Sequence, residues 1–341
     1  MKLKTLAVAT GIALSAMSAA GPAQAGALAT SVLDITGFTI FKGGVQVDVS
    51  DFVPGRLAVA NTTDISAALN GTILPAEADG AGEDIDLAPV RLGAAVPAYA
   101  NNDYTVGGDF SSPPVSSFSL ADQSQLGSPI TGLVVGGTPI DPTATASHAA
   151  YVSLDSDGSG SSVANNGLNT SFTFALGEGG ALDFSFDARA YLEAFTNPDA
   201  VIPTAASAAY GLLFTLEDLG GAHGGGRIIN WAPDGSGVGV IGTSTSLGLT
   251  AESDPFNLND AISRNAPFNG TTFRGAGLGT EFAGTWSGTT IALVAGNDYQ
   301  LTIRSTAEAD ATSAEAVPEP ATLALMGLGI LGLGLSRRRR A

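Results

Sequence analysis

The chain has 341 residues, no cysteine, two histidines and a formal net charge of −18. The absence of cysteine excludes disulfides, thiolate metal sites and cysteine nucleophiles. With Lys2, Lys4, Glu319 and Arg337–Arg340 set aside, eight basic and 31 acidic residues remain, about −23, and such a body repels nucleic acid phosphate and anionic membrane surfaces.

The first 25 residues divide in three. Lys2 and Lys4 are followed by an uncharged apolar run, residues 5–20, and then by GPAQA, with Ala23 and Ala25 at the small-residue positions that a signal peptidase reads. This pattern predicts a secretory signal, cleavage after Ala25 and a mature chain starting near Gly26.

From residue 31 the body shows strand patterns. SVLDITGFTIF (31–41) and VQVDV (45–49) flank Lys42-Gly43-Gly44 and predict a hairpin, with Val45, Val47 and Val49 on one face. RLAVAN and EDIDLAPVRL (83–92) suggest short strands. The Ser/Pro/Gly-rich stretch 107–147 reads as long loops, a surface excursion or a boundary between two β lobes. HAAYVSL (148–154), SFTFAL (171–176) and ALDFSFDARAYLEAF (181–195) follow. In the last, Leu182, Phe184 and Phe186 alternate with Asp183, Ser185 and Asp187, a period of two with one apolar face. Further short β-prone runs continue to residue 310, and a final hairpin is expected around Ala295-Gly296-Asn297-Asp298. No run of ten or more residues in the body has helical periodicity. The fold expected is mainly β, an antiparallel sandwich of jelly-roll type over 26–310, with a linker at 311–316.

Several motifs invite a chemical reading. Gly237-Val-Gly239-Val-Ile-Gly242 fits a dinucleotide fingerprint, but lacks the strand before and helix after that such a site needs. His223-Gly224-Gly225-Gly226 is similar to an esterase oxyanion loop, yet the chain has no G-x-S-x-G elbow to serve it. His223 then reads as a turn residue and His148 as a strand residue. Asp155-Ser-Asp157-Gly begins like a calcium loop but has Asn166 where an EF-hand needs Glu, which leaves Asp155 and Asp157 as weak calcium ligands beside a solvated turn. Trp231 and Trp286 could stack on sugars or fill the core. No convergent Ser/His/Asp, Cys/His or multi-histidine set is present, so neither a catalytic residue nor a resident cofactor is expected. A carbohydrate- or calcium-binding module and a secreted hydrolase using two carboxylates stand as alternatives.

The C-terminal segment carries the most specific signal. Val317-Pro318-Glu319-Pro320 precedes ATLALMGLGILGLGL (321–335), followed by Ser336 and Arg337, Arg338, Arg339 and Arg340. The prolines mark where a helix can begin. As a helix the apolar run spans about 22 Å, short against a hydrocarbon core of about 30 Å, and the arginines favour the cytoplasmic side. Pro318-Glu319-Pro320, a Gly/Leu-rich apolar segment and a terminal arginine cluster together resemble the PEP-CTERM sorting tail. The resemblance implies recognition at Pro318, Glu319 and Pro320 by an exosortase, a membrane-embedded transpeptidase of Gram-negative, exopolysaccharide-producing bacteria. It implies transient membrane insertion and removal of the tail. It further implies a cell-surface or extracellular matrix role, structural or adhesive, in association with biofilm or exopolysaccharide.

Overall fold

The computed structural model describes residues 26–82, 84–93, 102, 104, 116–164, 169–197, 203–236, 246–266 and 270–314. The strands in the first half are β1 (Ala27–Lys42), β2 (Val45–Gln46), β3 (Ala58–Leu69), β4 (Thr72–Gly80), β5 (Ile85–Leu92), β6 (Phe118–Leu126), β7 (Val134–Val135), β8 (Thr138–Pro139), β9 (Ala144–Leu154) and β10 (Gly158–Ala164). Those in the second half are β11 (Asn169–Ala175), β12 (Asp183–Thr196), β13 (Ala205–Asp218), β14 (Gly226–Trp231), β15 (Ser246–Leu247), β16 (Leu249–Ser253), β17 (Asp260–Asn265), β18 (Gly270–Arg274), β19 (Phe282–Thr290) and β20 (Asp298–Ser313). One 3₁₀ turn, Val49–Asp51, is the sole helical element among the described residues.

Two nine-stranded antiparallel sheets face each other. One runs β16-β19-β12-β1-β9-β6-β5, with β18 on β12 and β2 on β1. The other runs β10-β3-β11-β20-β13-β14-β15, with β17 on β13 and β4 on β3. The mainly antiparallel sandwich expected from the alternation is therefore what forms. The first strand of the body and the last lie inside the two sheets, β1 between β12 and β9, and β20 between β11 and β13.

The alternation in β12 shows why. Leu182, Phe184 and Phe186 are at most 2% exposed, whereas Asp183, Ser185 and Asp187 point away. Phe214 on β13 meets them from the other sheet, 6.0 Å from Phe184 and 5.6 Å from Phe186, with Trp231 4.9 Å away. Fully burying each such ring stabilises the fold by about 1.5–3 kcal/mol.

In β1 the residues Ala27–Ile35 are buried on both faces. Ala27, Ala29, Leu33 and Ile35 face the inter-sheet core, while Val32 packs on the outside with Tyr104, Phe118, Leu120, Ala149, Tyr151 and Tyr191. Apolar residues at both parities are the mark of a strand covered on both sides. The ladders then shift register around Gly37, whose φ is +63°, and the bulge transfers the inward positions from odd to even residues, so Phe38 and Ile40 enter the core.

Four expectations change. The hairpin at Gly43-Gly44 forms, but its second strand is two residues long, because Asp48 caps a 3₁₀ turn by accepting from Ser50 N at 2.9 Å. Val47 is consequently buried and Val45 exposed, on different sides and not on one face. The segment Ala295–Asp298 joins β19 in one sheet to β20 in the other, so it is a crossover and not a hairpin. The stretch 107–147 contributes β6 between β9 and β5, and the core that contains Ala121 and Ile130 also contains Leu33 and Leu301. Finally, β20 runs to Ser313, so residues 311–313 are strand where a linker was expected: Ala311 is an inward apolar position and pairs with Ala206.

Candidate functional sites: the tail-bearing end and the polar faces of the first sheet

Of the residues singled out for sorting, Ala23, Ala25, Pro318, Glu319, Pro320 and Arg337–Arg340 lie outside the described residues, while Gly26 lies within them. The end of the body from which the tail departs is well defined. Ser313 pairs with Gly158, and Ala314 N donates to Thr204 Oγ1 at 3.1 Å. Thr204 O accepts from Ala266 N at 2.8 Å, and Pro203 O accepts from Thr312 Oγ1 at 3.2 Å. The start of β1 reaches the same end. Ala27 pairs with Leu154 and with Thr196, and Gly26 O accepts from Asn197 N at 2.9 Å. Leu154 is joined to Gly158, the partner of Ser313, by a three-residue turn.

The two histidines are not brought together. His148 sits on β9 facing the core, 1% exposed, with Nε2 2.6 Å from Ser305 Oγ. Gln123 of β6 and Leu33 of β1 flank it in the sheet. Burial alone pushes its imidazole down to about 3. Nδ1 of His148, both amide atoms of Gln123 and Oγ1 of Thr63 have no hydrogen-bond partner among the described residues. Nearby, Gln125 Nε2 donates to Asn61 Oδ1 at 3.2 Å and to Thr170 Oγ1. Asn61, Gln125 and Thr170 border a cavity of about 40 Å³ whose other walls are mostly apolar, among them Phe38, Phe172 and Phe214.

His223 lies in the exposed loop after β13, its ring 6.1 Å from that of Tyr299. Asp218 at the end of β13 organises that loop. Its carboxylate accepts from Gly221 N (2.7 Å), His223 N (2.6 Å), Gly225 N (3.2 Å) and Asn297 Nδ2 (2.8 Å). Its desolvation favours the acid form, but these donors outweigh that and hold the carboxyl well below the usual range. Gly224, Gly225 and Gly226 have φ of +94°, +78° and +77°, which explains the glycine run. Two of the amides that gave the loop its oxyanion-hole appearance, those of His223 and Gly225, are thus already engaged by the Asp218 carboxylate, and Gly224 N donates to Gly221 O.

Trp231 and Trp286 are both 0% exposed, so neither offers a face to a sugar. Trp286 Nε1 donates to Asp254 Oδ1 at 2.9 Å, and Asp254 also accepts from Asp234 N and Gly235 N. Residues 237–245, which contain the glycine fingerprint, lie outside the described residues. Asp155 accepts from Ser117 Oγ at 2.5 Å, and Asp157 is exposed on the β9–β10 turn. Among the described residues no group of three or more His, Asp or Glu side chains gathers around a common point. No described helix is long and apolar enough to cross a membrane.

A cluster that the alternation did not announce lies on the outer face of the first sheet. Asp34 of β1 accepts from Arg189 Nε at 3.0 Å and from Ser147 Oγ at 2.5 Å. That hydrogen bond raises the Arg189 guanidinium further. Tyr191 Oη donates to Glu193 Oε2 at 2.7 Å and accepts from Gly279 N at 2.9 Å. Asp122 of β6 is 0% exposed and accepts from Asn102 N at 3.0 Å through Oδ2, while Oδ1 has no partner among the described residues. Burial, with Asp86 adding to it, pushes the Asp122 carboxyl up to about 6. Tyr104, whose Oη donates to Asn102 Oδ1 at 3.0 Å, is raised by burial and by the Asp122 charge. The one sequence signal for this cluster was acids and tyrosines inside otherwise apolar strand runs.

The PEP-CTERM protein-sorting motif matches residues 316–340. None of the curated proteins compared matches this chain. Among solved structures, the chain is similar to the infectious bursal disease virus Gx strain structure at 11% identity, with 94% of this chain and 90% of that one covered and a TM-score of 0.10. The Gt strain structure of the same virus gives 12% identity, 92% and 86% coverage and a TM-score of 0.07. Scores that low establish no shared fold. The motif defines an exported protein directed toward the cell surface. The chain carries the PEP-CTERM protein-sorting motif, and that motif implies processing by an exosortase.

Proposed function

We propose that residues 1–25 direct export and are removed by signal peptidase. The apolar run 321–335 holds the precursor in the inner membrane until an exosortase acts at Pro318, Glu319 and Pro320. The sandwich then serves at the cell surface or in the extracellular matrix as a structural or adhesive component associated with exopolysaccharide. The observation that carries this reading is the order of parts: the sorting motif at 316–340 follows β20, which ends at Ser313, without an intervening unit.

The disposition of the polar groups supports a non-enzymatic role. Asp34, Asp218 and Asp254 hold strands and loops together. His148 is sealed in the core beside Ser305 and His223 is exposed beside Tyr299, six residues away along β20, or about 20 Å.

The test is the intact mass of protein recovered from surface and medium, beside a Pro318→Ala/Pro320→Ala variant. The expected native mass lacks residues 1–25 and the C-terminal apolar segment, and the variant stays uncut in the membrane fraction. Native protein that retains Arg337–Arg340 and remains membrane-bound would make the tail a simple anchor. Co-sedimentation of the released body with the producing cell's own polysaccharide tests the association. Absence of saturable binding removes that part of the proposal.

A further inference from the structure

The strand registers place both ends of the body at one end of the sandwich. The core packing sets this arrangement. Ser31 Oγ of β1 donates to Ala209 O at 2.7 Å, and Ala209 pairs with Glu308 of β20. Two residues further along β1, Leu33 is beside His148, which touches Ser305. Ascending β1 therefore means descending β20, and the start of β1 lies over the end of β20. At the opposite end, Gly43-Gly44 closes the β1–β2 turn, and Arg56 is bound to Asp298, the first residue of β20, at 2.8 Å.

Ala314 is pinned to the body by Thr204. From Ala314 to Pro318 there are four residues, which reach at most about 14 Å when fully extended. Residues 321–335 begin only three residues later. Against this, β20 with its 16 residues is about 50 Å long. However the body pivots on such a tether, the end carrying Ser313 stays close to the tail and the Gly43-Gly44 end does not.

The geometry points to the face formed by the β9–β10 turn, the end of β17 and residues 203–204 as the membrane-facing surface of the precursor. It abuts the lipid headgroups until the tail is removed. This inference rests on the anchoring reading above. The tether, and not charge attraction, holds this face at the headgroups of an acidic body that anionic membrane surfaces repel; its exposed Ser156, Asp157, Ser159 and Asn265 are polar and remain in water rather than entering hydrocarbon. The short tether keeps Pro318 within about 14 Å of Ala314.

The absence of cysteine makes the test clean. Single cysteines are placed at the near end (Asp157→Cys, Asn265→Cys) and at the far end (Val45→Cys, Ala222→Cys) of the full-length Pro318→Ala/Pro320→Ala chain, and all four native positions are exposed. Labelling with a bulky polyethylene glycol maleimide is followed in isolated membranes and on detergent-released protein. Near-end cysteines are expected to label several-fold more slowly than far-end ones in membranes and at equal rates after release. Inserting 20 Gly/Ser residues after Ala314 adds a reach of about 25 Å and should abolish the difference. Equal labelling of both ends in a membrane-bound precursor would overturn the orientation and leave the anchoring reading standing. A precursor found free of the membrane would refute the anchoring reading and this proposal with it.

Discussion

His148 provides the sharpest energetic test of the core. In the unfolded chain an imidazole titrates near 6.5, whereas in the folded protein burial lowers it to about 3. No charged group faces it: its neighbours are Leu33, Gln123 and Ser305. The native state thus binds fewer protons than the unfolded state between those two values, and stability must fall as the pH is lowered from 6.5 toward 3. Between pH 7.5 and 5 the loss works out at about 2 kcal/mol for this residue alone. The assay is urea denaturation of the released body and of a His148→Gln variant at both pH values. Glutamine can still bond Ser305 but does not titrate, so the difference between the two proteins should narrow by about 2 kcal/mol on acidification. Two stability curves that stay parallel from pH 7.5 to 5 would refute the claim that His148 is sealed and neutral.

Asp122 should behave in the opposite sense. Its folded carboxyl titrates near 6, above the ordinary 3.8, so its ionisation penalises the fold above pH 6, and the penalty disappears as the pH falls through 6 toward 3.8. Asp122→Asn should raise the melting temperature at pH 7.5 and confer little or nothing at pH 4. A gain that is the same at both values would contradict the assignment. Phe214→Ala removes the ring that stacks on Trp231 and touches Phe38, Phe184 and Phe186, and should cost about 3–5 kcal/mol in a denaturant titration. Asp218→Ala should accelerate hydrogen exchange at the amides of Gly221, His223 and Gly225 without altering exchange in β1, and unchanged protection would show that the loop is held by other means.

Local chemistry in the chain determined much of this. Period-two alternation in 181–195 identified β12 and its inward face, because a strand next to one core and one wet surface must alternate. The absence of helical periodicity agrees with the mainly β structure of the described residues. The sorting tail was legible because proline, apolar length and terminal arginine act through local chemistry that needs no tertiary partner. The partners of each strand were not legible. That Ala295–Asp298 crosses between sheets, that β20 is an interior strand running to Ser313, and that Trp231 and Trp286 are wholly enclosed depend on pairings across more than a hundred residues. The HGGG loop shows the same limit. Its glycines were visible, but Asp218, which takes up its amides, acquires that role only when β13 ends beneath the loop. Likewise, a histidine, a glutamine and an aspartate in β-prone runs look like wet-face residues until the second sheet and Tyr104 cover them. Burial is a property of the assembled sandwich, and with it come the displaced titrations of His148 and Asp122 and the placing of the start of β1 and the end of β20 at one end.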